Sequence, residues 1–120
     1  MIYLASVYSI GTNRNSYKDI DLREKRYEYT MKRLHEFFAV KRLPVFSPIV
    51  HCHEMSKEYG LPKDYLFWQD FDRHMISVAK ELWVLKMPHW ELSRGITDEI
   101  RWARLTNTPI TYIDCDDYEE

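Results

Sequence analysis

A serine six residues ahead of a glutamate, with a glycine between them, is the arrangement in this chain that most invites chemistry: Ser93-Arg94-Gly95-Ile96-Thr97-Asp98-Glu99. Ser93 and Gly95 fall where a loop turns into a helix. Free backbone N–H groups and the helix dipole favour an anion at such a point, and a hydroxyl among those donors suits a phosphate. Glu99, a little over a turn further on, can face the same cleft; the competing reading is a surface glutamate paired with solvent or Arg101. A second acid, Asp72, follows Trp68 inside a helical stretch. Aspartate is a poor residue there, because it competes with the backbone for hydrogen bonds. Its ordinary explanation is a surface pair with Arg73 or Lys80. The third feature is His51-Cys52-His53-Glu54. His-x-His in a loop can ligate a metal or touch a substrate. No second cluster has ligand spacing, so substrate contact is favoured and neither a metal nor another cofactor is expected.

The elements that must position these residues follow from periodicity. Residues 2–8 form an apolar run ending in small and polar residues, as a buried parallel strand does. Residues 11–16 are a loop by turn chemistry. Residues 19–40 have helical spacing, with Leu22, Tyr29, Leu34, Phe37 and Phe38 on one broad face. A strand over 43–46 ends at Pro48, and 51–62 reads as a loop. A helix over 63–80 carries Leu66, Phe67, Met75, Ile76 and Val78. A strand over 81–86, a loop, a helix over 94–105 and a strand over 109–113 complete the order, and residues 114–120 are a fraying acidic tail.

This β-α-β alternation predicts one α/β domain over residues 1–120. Its expected form is a three-layer, flavodoxin-like or Rossmann-like fold around a parallel sheet of four strands, or five. Ligands in such folds bind beyond the carboxyl ends of the strands. That rule nominates residues 6–13, 47–53 and 87–93. Tyr8, His51 and Trp90 are placed there to flank a planar group, and Ser6 to contact the ligand.

Composition narrows the partners. With a net charge of −2 and dispersed cations, the chain lacks the basic stripe that nucleic-acid polymers require. Arg23, Lys25 and Arg26 read as a solvated helix face. No apolar run approaches the roughly 20 residues of a membrane span, no leader-like segment opens the chain, and Cys52 and Cys115 stand far apart, so a reduced cytoplasmic setting is expected. Three glycines in 120 residues exclude a glycine-rich phosphate cradle, and the usual dinucleotide, NTPase, hydrolase-elbow and zinc-protease motifs are absent.

Taken together, Tyr3-Leu4-Ala5, Ser47-Pro48-Ile49 with His51 and His53, Trp68 with Asp72, and Ser93-x-Gly95-x-x-x-Glu99-Ile100-x-x-Ala103 resemble the nucleoside 2-deoxyribosyltransferase-like superfamily. The nearest pattern is a small bacterial and phage branch of unknown function that is similar to nucleoside monophosphate N-glycosidases, and it covers nearly the whole chain. The resemblance implies cleavage of an N-glycosidic bond in a nucleotide or nucleoside. Glu99 is then the nucleophile, Tyr3 orients it, and Asp72 contacts the sugar or moves a proton. Ser93 then binds a 5′-phosphate, which favours nucleotides. The chain departs from the pattern in having Lys80 after Ala79, and Ser6-Val7-Tyr8-Ser9 in place of a glycine-rich first loop. The resemblance also implies a homodimer or larger homo-oligomer, for which Tyr27, Tyr29, Trp102 and Tyr118 could cover an interface.

Overall fold

The computed structural model describes residues 1–9, 17–62 and 65–120, with the side chains of residues 17–19 and 65 left aside. The loop expected over 11–16 and the expected helix start at Lys63 lie outside the described residues. The elements are β1 (Ile2–Ala5), α1 (Tyr17–Ala39), β2 (Val45–Phe46), α2 (Pro48–Tyr59), α3 (Tyr65–Val78), β3 (Glu81–Lys86), a short 3-10 turn (Trp90–Leu92), α4 (Arg94–Leu105) and β4 (Ile110–Asp114). The four strands form an all-parallel sheet in the order β2-β1-β3-β4, the α/β, flavodoxin-like arrangement expected. No helix among the described residues is long and apolar enough to cross a membrane.

All four β1 residues are buried, as a central parallel strand covered on both faces requires. Alternation sends them to opposite sides. Leu4 lies beside Trp83, which meets Phe37 of α1 edge-to-face at 5.0 Å. Tyr3, on the other face, lies beside Leu82 and reaches Glu99 of α4. From β1 the chain moves outward to β2, then crosses back to β3 and continues to β4. The reversal falls between β1 and β3, which makes their carboxyl ends the natural cleft.

The loop expected over 51–62 is largely the helix α2. Its signals are present in the sequence: Ser47 caps the amino end by accepting from the Val50 N–H at 3.1 Å, Pro48 opens the first turn, and Gly60 closes the other end at φ 70°. Pro48 ends β2, as expected, and also begins a helix. The burial pattern of α3 differs too. Leu66, Phe67 and Val78 are exposed, while Trp68, Asp72 and Ile76, spaced i, i+4, i+8, turn inward. An acid occupies the inner stripe, and this rotates the apparent apolar face.

The basic cluster on α1 is not a solvated face, since Arg23 and Arg26 are buried. Nor does the acidic tail fray. Arg26 donates to Glu120 at 2.6 and 3.1 Å. The Tyr29 hydroxyl donates to Asp117 at 2.7 Å, and the buried Tyr118 ring lies 4.6 Å from Tyr29. Charge complementarity between α1 and the tail is what the separate segments could not show. Tyr27, Tyr29 and Tyr118 are buried within the chain, and Trp102 donates to Ser77 at 3.0 Å.

Two ion pairs on the tail should therefore behave differently. The Arg26 side chain is only 1% exposed, so Glu120→Ala takes away, in a buried setting, the carboxylate that accepts two of its hydrogen bonds and should cost about 2 kcal/mol or more. Lys32 and Asp117, both more than half exposed, should lose less than about 0.5 kcal/mol in Lys32→Ala. Urea unfolding midpoints of the two variants check the contrast.

Candidate active site

A cavity of about 260 Å³ opens at the β1/β3 reversal. It sits just under the roughly 300–1,000 Å³ usual for small-molecule sites. Four segments build it. Ser6, Tyr8 and Ser9 follow β1. Pro48, Ile49, Cys52, His53 and Ser56 form one face of α2. Trp68 and Asp72 come from α3, and Ser93, Arg94, Gly95 and Glu99 from the start of α4.

Glu99 lines the cavity, and Tyr3 lies behind it. The ring of Tyr3, fully buried against Phe46, sends its hydroxyl to Glu99 Oε2 as a short hydrogen bond. Burial raises the Glu99 carboxyl above its ordinary range, the nearby Asp72 charge raises it further, and the Tyr3 hydrogen bond opposes both. Asp72 is pushed up to about 7, mainly by burial, with the Tyr3 hydroxyl again opposing. Its Oδ1 is buried without a hydrogen-bond partner among the described residues. Two carboxyls in one dry space cannot both ionise cheaply. The Tyr3 O–H donates directly to Glu99 Oε2 whereas Asp72 Oδ1 has no such donor, which favours the negative charge on Glu99 and the proton on Asp72. Among the described residues no hydrogen bond joins Asp72 to Arg73 or Lys80, or Glu99 to Arg101. Arg73 instead clamps Asp98, at 2.6 and 3.1 Å, and Gln69 adds a contact at 3.4 Å. This pairing joins α3 to α4, so that Asp72 and Glu99, each one residue from the clamp, are held together.

Ser93 plays two parts. Its oxygen caps α4 by accepting from the Ile96 N–H at 3.2 Å, and it lines the cavity with Arg94 and Gly95. The first turn of a twelve-residue helix thus faces the same space as the two acids. Chemically the set offers a carboxylate nucleophile, a carboxylic acid able to give up a proton near neutrality, and an anion-binding rim.

Of the side chains nominated from sequence, Tyr3, Ser6, Tyr8, Asp72, Ser93, Gly95 and Glu99 converge here. His51 and Trp90 do not. His51 is exposed and stacks on Phe71 at 5.9 Å, and Trp90 packs on Tyr112 at 5.5 Å. Once 51–54 is helical, His51 and His53 point to different sides, because residues two apart on a helix do not share a face. His53, with Cys52 and Ser56, faces inward instead. A loop over 51–62 hides them; the spacing 48/49, 52/53, 56 is the helical signal that finds them. No group of three or more His, Cys, Asp or Glu side chains placed to hold a metal occurs among the described residues.

The chain belongs to the family described as a domain of unknown function, DUF1937. Its model matches residues 1–114 and so spans the whole cavity. The comparison with curated proteins gives no match.

The raised Asp72 carboxyl has a consequence for stability. An acid that holds its proton more tightly when folded favours the fold most at low pH. That contribution falls as pH rises from its ordinary 3.8 to about 7, and is flat beyond. Asp72→Asn should therefore be more stable than the parent at about pH 8, by on the order of 2 kcal/mol, with the advantage shrinking towards about pH 4. Thermal melts across this range test the sign; an advantage growing at low pH contradicts it.

Proposed function

We propose that the protein cleaves the base–sugar bond of a nucleoside 5′-monophosphate, with deoxynucleotides the first candidates. The observation that carries the reading is the Tyr3–Glu99 hydrogen bond beside a protonatable Asp72, within one cavity rimmed by the amino end of α4. The likeness of these same residues to the deoxyribosyltransferase-like pattern supports it.

In the first step a Glu99 oxygen attacks the anomeric carbon. The C1′–N bond breaks, its electron pair stays on the base nitrogen, and Asp72 delivers a proton so that the base leaves neutral. Tyr3 holds the attacking carboxylate at one oxygen and leaves the other free. In the second step water attacks the glycosyl ester at C1′, Asp72 takes the water proton, and Glu99 departs as carboxylate. Ser93 and the first-turn N–H groups hold the phosphate, so that remote binding positions the reacting carbon. A base in place of water in the second step gives a 2-deoxyribosyltransferase. Cytoplasmic mononucleotides are the natural substrate pool, and the two free cysteines suit that compartment.

Incubation with a panel of ribo- and deoxynucleoside monophosphates, followed by chromatography for free base, is the test. Glu99→Gln should lose at least about a thousandfold in rate, Asp72→Asn and Tyr3→Phe about a hundredfold each. Ser93→Ala should act mainly on the KM of monophosphates. Base exchange outrunning hydrolysis when a free base is added points to the transferase. Saturable binding without turnover, equally strong in Glu99→Gln, points to a non-catalytic nucleotide-binding module and sinks the enzymatic reading.

A further inference from the structure

Tyr8 lines the cavity but has no part in the proposed steps, and it is held at both ends. Its backbone carbonyl accepts from Arg26 Nη1 at 2.9 Å, and Arg26 is itself fixed by Glu120. Its hydroxyl is hydrogen-bonded to His53 Nδ1. His53 is buried, Tyr27 stacks on it at 4.1 Å, and its Nε2 lies 3.0 Å from Glu24 Oε1. Lys57 donates to that same oxygen at 2.8 Å and is the main cause holding the Glu24 carboxyl below its ordinary range.

These contacts fix the direction of the hydrogen bonds. An ionised carboxylate only accepts, so His53 Nε2 must carry a proton towards Glu24. In the tautomer with its proton on Nε2, Nδ1 is the acceptor and the Tyr8 hydroxyl donates to it. Burial pushes the Tyr8 phenol up to about 12, with the Arg23 charge opposing, so it stays protonated. Lone pairs are all the Tyr8 oxygen has left for the cavity. Both ring nitrogens of His53 are engaged, so it offers a ligand neither donor nor acceptor. The neighbouring wall is apolar and partly flat, built from Pro48, Ile49, Cys52 and Trp68, which suits a planar ring with a polar edge.

We propose that Tyr8, oriented by His53 and Glu24, is a specificity-determining residue that accepts a hydrogen bond from an exocyclic amino group. The site then prefers adenine- or cytosine-type nucleotides over their oxo counterparts. The proposal rests on the mononucleotide reading above. An oxo group set against a lone-pair-only oxygen leaves two acceptors facing each other with no proton between them, a mismatch that selects by repulsion as well as by lost attraction.

Two amino/oxo pairs, the deoxyadenosine and deoxyinosine monophosphates and the deoxycytidine and deoxyuridine monophosphates, test it by calorimetric titration and by base release. The parent should prefer the amino member of at least one pair by about tenfold. Tyr8→Phe should bring that ratio close to one. His53→Phe keeps a ring against Tyr27 but removes the acceptor. It frees the phenol proton to turn inward and should shift the ratio towards the oxo member, which a purely structural role for His53 would not do. If His53→Phe fails to fold by circular dichroism, Tyr8→Phe alone decides. An unchanged ratio in Tyr8→Phe, or a parent that prefers oxo bases, overturns the proposal while base release still supports the glycosidase. Amino-selective binding without base release supports the proposal and removes the glycosidase. Failure of every mononucleotide to bind removes both.

Discussion

The hydrogen bond from Tyr3 to Glu99 ties the middle of the central strand to the helix that begins at the cleft, across 96 residues of chain. Burying a glutamate is costly unless something holds its charge, and a buried hydroxyl on a rigid strand is a preorganised partner for it. Tyr3 can serve because β1 has neighbours on both sides and helices over both faces, which leave its ring no freedom. The rest of the site follows from that anchor. It sets the depth of α4 in the fold, and therefore where the Ser93 cap and the first-turn N–H groups meet the cavity.

A second constraint sets the separation of the two acids. Arg73 and Asp98 stand next to Asp72 and Glu99 in the chain, and their ion pair is the outer face of the same α3–α4 contact whose inner face is the acid pair. The helices are thus held by opposite charges on the wet side while like charges approach on the dry side. The repulsion is relieved when one of the two stays protonated, and an acid such as Asp72, pushed up to about 7, is what acid–base work on a leaving group needs. Tyr8 repeats this logic at the other wall, where a carboxylate fixes an imidazole and the imidazole fixes a phenol.

Much of this was legible in the sequence. The β3–loop–α4 segment carries its own cap, its glycine and a sharp change from strand to helix periodicity, which mark the bounds of β3 and α4 and put Glu99 at the cavity. β1 is shorter than the apolar run over 2–8, because such a run does not stop where pairing stops; Ser6 and Val7 are buried without being paired. α2 is hidden in the sequence because a segment with two histidines, a cysteine and a nearby glycine resembles a ligand loop, although Ser47, Pro48 and Gly60 mark both helix ends. A loop gives no reason to separate His51 from His53; the helix turns His53, Cys52 and Ser56 to the cavity and leaves His51 exposed beside Phe71. The inward turn of Asp72 and the closure of the tail over α1 depend on charges far apart in the chain, which no local pattern encodes.

The central claim is that Glu99 attacks a sugar carbon, and the most direct measurement is the mass of the protein itself. A deoxynucleoside monophosphate that releases base should be mixed with the protein, quenched in acid within the first turnover, and the protein digested for mass spectrometry. The account predicts the added mass of a deoxyribose 5-phosphate unit on the peptide containing Glu99, and its absence in Glu99→Gln. Base release with the Glu99 peptide unmodified at every quench time, together with undiminished release by Glu99→Gln, would contradict it.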